Sequence, residues 1–215
     1  MPRAAIWLGL GMESAPGSMA DAEGWEIIWL APDPPLPRES LEQWSRRMAL
    51  KIPEDIQVLG GFSLGGMLAL SQMSLYLDLT GLVLFSYTKG KNGWRLYLRV
   101  LAAIGVLRIF LLLPAPLLRS IAIALMRFFG KRTHFTMQKA LKAWNPVALK
   151  QVFVWMLQFK KGRSALPCVE IIGSRDPWLR GGQEAQLIEG AGHFMFPRYR
   201  HQVATAVISW WKNIN

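Results

Sequence analysis

Short apolar runs, each closed by a glycine- or proline-rich turn, alternate along this chain with segments of helical period. That alternation argues for an α/β fold with a mostly parallel, doubly wound sheet. The runs are Ala4–Leu8, Trp25–Leu30, Ile56–Gly60 and Gly81–Phe85, with Val169–Ile172 and Gln186–Ile188 far downstream. Helices are expected at Leu41–Lys51, capped by Ser40, at Leu64–Tyr76 and at Val203–Lys212. The segments Trp94–Phe129, broken by Pro114 and Pro116, and Phe135–Phe159 read as further helix. The 215 residues, 52% of them hydrophobic, suit one domain over residues 1–215, with a helical insertion over about 88–162.

Two apolar stretches need a membrane test. Arg3 followed by Ala4–Met12 has the flavour of a short secretory signal, but Gly9 and Gly11 break it and the run is needed as a strand. Leu101–Leu118 carries only Arg108 as a charge, yet it holds two prolines and a central arginine, which a spanning helix tolerates poorly. Buried helices, or an amphipathic surface-seated cap, are expected there. The single cysteine, Cys168, excludes an intrachain disulfide, and its place in the run Leu166–Ile172 suggests a small buried thiol. A cytoplasmic setting is expected, with peripheral membrane association as the variant.

Charge is segregated. From Leu79 to Val169 there is no Asp or Glu, but there are fifteen Lys or Arg, Arg127, Lys131 and Arg132 among them. The rest of the chain holds ten basic and fourteen acidic residues. Such asymmetry points to an anionic partner for the basic block, the alternative being a solvated face. Its charges are spread among apolar residues, so nucleic acid is not expected.

The chemistry-bearing signal is Gly61-Phe62-Ser63-Leu64-Gly65, a G-x-S-x-G pattern between the strand Ile56–Gly60 and an apolar helix. A strand-to-helix turn this tight leaves no room for side chains beside the serine. It holds the Ser63 hydroxyl clear, above a helix N-terminus that favours negative charge. A serine nucleophile needs a base, and His193 lies in the glycine-rich loop Gly190-Ala191-Gly192-His193-Phe194 after a strand. The other histidines, His134 and His201, read as solvated. Asp176, in the turn Gly173-Ser174-Arg175-Asp176-Pro177 after another strand, fits as the carboxylate that orients the imidazole. The chain order Ser63, Asp176, His193 suits this architecture. The amides of Leu64 and, from the turn Gly9-Leu10-Gly11, of Leu10 are the candidate oxyanion donors. No Cys/His cluster and no phosphate-binding glycine loop occurs, so neither metal nor cofactor is expected.

Through Gly9-Leu10-Gly11, Gly61–Gly66, Gly173–Asp176 and Gly190–Phe194, the chain resembles α/β-hydrolase-fold serine esterases over nearly its whole length. The resemblance implies a three-layer fold with a mostly parallel sheet, a helical cap after the strand ending near Ser86, and ester or thioester hydrolysis through an acyl-enzyme. The apolar cap would roof an acyl pocket. Its basic charge would suit a carrier-linked or coenzyme A acyl group, an acidic carrier protein, or an anionic lipid surface. The methyl ester esterases of biotin synthesis are one concrete parallel. The alternative is a non-catalytic or membrane-associated binding protein that retains the fold.

Three departures stand out. The chain opens on the strand before the oxyanion turn, without the usual antiparallel strands. Leu8-Gly9 stands where many relatives carry His-Gly. Sixteen residues separate Asp176 from His193, too few for a full helix.

Overall fold

In a computed structural model of the chain, residues 2–10, 12, 24–76, 78–88, 91–125, 138–159, 166–196 and 198–214 are described. Six strands, β1 (Arg3–Trp7), β2 (Glu26–Leu30), β3 (Val58–Phe62), β4 (Gly81–Phe85), β5 (Cys168–Gly173) and β6 (Gln186–Ile188), form one sheet in the order β2-β1-β3-β4-β5-β6. Every neighbouring pair is parallel. All residues of β3 and β4 are buried, as an unbroken apolar run requires when a sheet is covered on both faces.

Pleating divides the core in two. Ala5, Trp7, Leu59, Leu82 and Leu84 point to the face covered by α1 (Leu41–Ala49) and α2 (Leu64–Gln72). Ala4, Ile6, Val58, Val83 and Phe85 point the other way, onto Val203, Val207 and Trp210 of α7 (Arg200–Ile214). The result is the expected three-layer architecture. Strand order reverses between β1 and β3, and the crevice at such a reversal is where open α/β sheets place their ligands.

Between β4 and β5 the described residues include α3 (Leu96–Ala103), α4 (Val106–Leu112), α5 (Ala115–Leu125) and α6 (Pro146–Gln158). The helical segment expected from Trp94, with breaks at Pro114 and Pro116, holds three helices over its described residues: it breaks once more, at Gly105, and Pro116 lies in the first turn of α5. Gly105, at φ +79°, breaks the first from the second, and Pro114 stands before the third. The second expected segment breaks at Asn145, whose side chain caps α6 at the Ala148 amide, 2.9 Å away, with Pro146 in the first turn. No helix among the described residues is long and apolar enough to cross a membrane.

Other boundaries also move. β3 starts and ends two residues later than Ile56–Gly60. A Cβ on Gly60 would lie 2.6 Å from the Val83 carbonyl oxygen, so this glycine belongs inside the sheet rather than closing the strand. α2 ends at Gln72 and tightens into a 3₁₀ turn, Met73–Leu75. Around α1 the Ser40 hydroxyl accepts from the Gln43 amide, and the Gln43 side chain accepts from Ser40, a reciprocal cap. Cys168 opens β5 half-buried rather than fully enclosed, because it lies at the strand's entry.

Candidate active site

Each of the three side chains singled out in the sequence sits just past the carboxyl end of a strand. Ser63 follows β3 at φ 52° and ψ −114°, a left-handed conformation that costs a non-glycine residue about 1–3 kcal/mol. Packing enforces it. A Cβ on Gly61 would sit 2.1 Å from the carbonyl group of Gly65, and one on Gly65 would sit 2.3 Å from the Trp7 carbonyl oxygen. The two glycines of the pattern are thus demanded by backbone approaching backbone. The Ser63 amide donates to the Phe85 carbonyl at 2.8 Å, anchoring the turn to β4.

Asp176 follows β5 and is fully buried. One carboxylate oxygen, Oδ1, accepts from the amides of Trp178 (2.8 Å) and Leu179 (3.1 Å). The other, Oδ2, lies 2.8 Å from Nδ1 of His193. An ionised carboxylate can only accept, so Nδ1 donates the proton of this contact. That leaves Nε2 bare, 3.1 Å from Ser63 Oγ, to accept from the hydroxyl. The loops carrying Asp176 and His193 touch at Gly173, where a Cβ would meet the Ala191 carbonyl oxygen at 2.3 Å.

His193 is packed among three aromatic rings. Trp178 presents an edge-on ring 4.4 Å from the imidazole centroid, and Phe62 and Phe194 stand at 5.5 and 5.3 Å. Its carbonyl accepts from Ser86 Oγ at 2.6 Å. Ser86 itself sits at φ 45° at the end of β4, buried. Arg95 ties the start of the helical insertion to the acid loop by donating to the carbonyls of Asp176 (2.9 Å) and Ser174 (3.0 Å).

Ser86, Trp178 and Arg95 escaped the sequence reading. A polar residue closing a buried strand, as Ser63 also does, was a usable signal for Ser86. Nothing in the sequence distinguished Arg95 from its fourteen basic neighbours.

Ser63 and His193 open into a cavity of about 340 Å³. Leu10 and Leu64 line it as well, together with Leu98, Leu107, Leu111 and Met156 from the insertion. Leu64 is the first residue of α2, whose opening amides have no acceptor within the helix. The Tyr87 phenol also lines the cavity, and burial pushes its pKa far up, so it stays protonated.

His201 lies exposed on α7. Gly11, His134, Arg127, Lys131 and Arg132 lie outside the described residues. Among the described residues no three His, Cys, Asp or Glu side chains gather as a metal ion would need.

A family model described as "Alpha/beta hydrolase family" matches residues 7–206. Among curated protein sequences, none matches the chain. Solved structures are similar in fold at low identity. ClbQ from the colibactin NRPS/PKS pathway is 14% identical at a TM-score of 0.59, covering 100% of this chain and 98% of that one. The N-acyl homoserine lactonase AidH, a variant complexed with N-hexanoyl homoserine lactone, is 13% identical at 0.59, covering 100% and 91%. The RedJ thioesterase from the prodiginine pathway of Streptomyces coelicolor is 12% identical at 0.52, covering 97% and 90%.

Proposed function

The chain belongs to the α/β-hydrolase family, and from that premise we propose that it hydrolyses a carboxylic ester or thioester of an apolar acyl group, with Ser63 as nucleophile. The observation that carries the reading is the unbroken relay from Ser63 Oγ through His193 to the buried Asp176 carboxylate, at 3.1 and 2.8 Å.

In the first half-reaction Ser63 Oγ attacks the carbonyl carbon while His193 Nε2 takes the hydroxyl proton. The amides of Leu64 and Leu10 hold the resulting oxyanion, and the Asp176 carboxylate stabilises the imidazolium. Collapse breaks the bond to the leaving oxygen or sulfur, which takes the proton from His193. Water, deprotonated by His193, then attacks the acyl-serine. The carboxylic acid is released and the proton returns to Ser63.

The apolar cavity supports an acyl substrate, and the fold shared with a thioesterase and with a lactonase complexed with an acyl lactone agrees with either ester class.

The test is a panel of p-nitrophenyl esters and matched acyl thioesters of graded length. Because each buried methylene contributes about 0.8 kcal/mol, kcat/KM should climb by roughly tenfold per two added methylenes until the cavity is full, then fall. A flat profile, or no turnover of any member, would contradict the reading.

A further inference from the structure

The helices that roof the cavity are apolar on both sides. Leu98 of α3 and Leu107 and Leu111 of α4 face inward and line the cavity. Outward, α3 and the turn after it expose Leu96, Val100 and Ile104 at helical spacing, and α4 exposes Ile109 and Leu112. Ile104 is 64% exposed, Ile109 63% and Leu112 79%. α3 packs against α4, which brings these exposed side chains onto neighbouring helices. An exposed aliphatic surface of this kind marks a place of contact. Arg108 stands exposed among them; Arg119 on α5 is half-buried, as is Arg99 on α3, which lines a cavity shared with Glu170 and Glu184. Among the described residues none of these three is paired with a carboxylate. The whole segment from Leu79 to Val169 supplies no acidic residue to repel an anion.

We propose that the outer surface of α3 and α4 docks on an anionic lipid bilayer, setting Ile104, Ile109 and Leu112 among the acyl chains and Arg108 at the headgroups. Positive charge alone would suit an acidic carrier protein equally well. The aliphatic side chains decide for the bilayer, because a surface helix binds lipid through buried apolar area joined to attraction for anionic headgroups. Docking would bring the cavity to within about one helix diameter, roughly 10 Å, of the membrane. Lipid-borne acyl esters would then be the natural substrates. That consequence rests on the hydrolase reading, whereas the docking itself does not.

The test is co-sedimentation of the full chain with vesicles of phosphatidylcholine, or of equimolar phosphatidylcholine and phosphatidylglycerol. Binding should be several-fold stronger to the anionic vesicles and should weaken as salt is raised. The triple variant Ile104→Gln, Ile109→Gln, Leu112→Gln should lose about tenfold in partitioning. Its far-UV circular dichroism and its turnover of a short water-soluble ester should stay at wild-type level. Ser63→Ala should bind vesicles as the wild type does, so failure of the chemistry and failure of the docking are told apart. Equal partition of the wild type into both vesicle types would overturn the proposal. So would full binding by the folded triple variant, or binding to an acidic acyl carrier protein with none to vesicles.

Discussion

Asp176→Asn should lower kcat by about 10⁴-fold while leaving the fold intact. The reason is the hydrogen-bond inventory around the side chain. Oδ1 already accepts two backbone amides, from Trp178 and Leu179. An asparagine must keep its carbonyl oxygen there, since the amide nitrogen would set donor against donor. Its NH₂ then faces His193 Nδ1, which must turn acceptor, and the proton moves to Nε2. In that tautomer the ring offers no lone pair to the Ser63 hydroxyl. Steady-state kinetics on the best ester, beside a thermal melt, checks this. A loss of only two- or three-fold would assign the orienting role to another carboxylate.

Ser63→Ala should fall further, by about 10⁶-fold, toward the residual rate that oxyanion donors and binding alone supply. Stability should change by only about 1 kcal/mol, because the hydroxyl makes one half-buried contact, with His193. The left-handed backbone at this position is imposed by Gly61 and Gly65 and persists with alanine. Hydrolysis by purified Ser63→Ala at more than a small fraction of the wild-type rate would remove the serine from the mechanism.

These residues were legible because backbone geometry restricts them. Gly61 and Gly65 lie where a single added carbon would strike main-chain atoms, so the tight turn is written in the sequence. β4 and β6 matched their apolar runs to the residue. β3 did not, because the run Ile56–Gly60 ends where the G-x-S-x-G turn is expected to begin, whereas Gly61 and Phe62 still pair in the sheet; crowding by Val83 at Gly60 and by α2 at Gly61 makes glycine the residue needed there. The insertion was legible as helical and in one of its breaks, which Pro114 announces, while the stop at Gly105 depends on a positive φ that apolar periodicity does not reveal.

The clamps around the site were less legible for a different reason. Arg95 matters through carbonyls that lie about eighty residues away in sequence, and Trp178 through the packing of one ring edge on His193. Neither leaves a local pattern. The short spacing between Asp176 and His193 was visible, and its consequence is now plain. The stretch holds the three-residue β6, a single bridge from Leu179 to Trp94 and irregular turns, with no helix, and Gly173 lets the two loops meet directly.

The most direct measurement is covalent labelling by a fluorophosphonate probe, read by intact mass and peptide mapping. The wild type should take up one adduct, on the peptide carrying Ser63, and Ser63→Ala should take up none. An unlabelled wild type, an adduct mapped to another residue, or labelling that persists in Ser63→Ala at the wild-type rate would contradict the assignment.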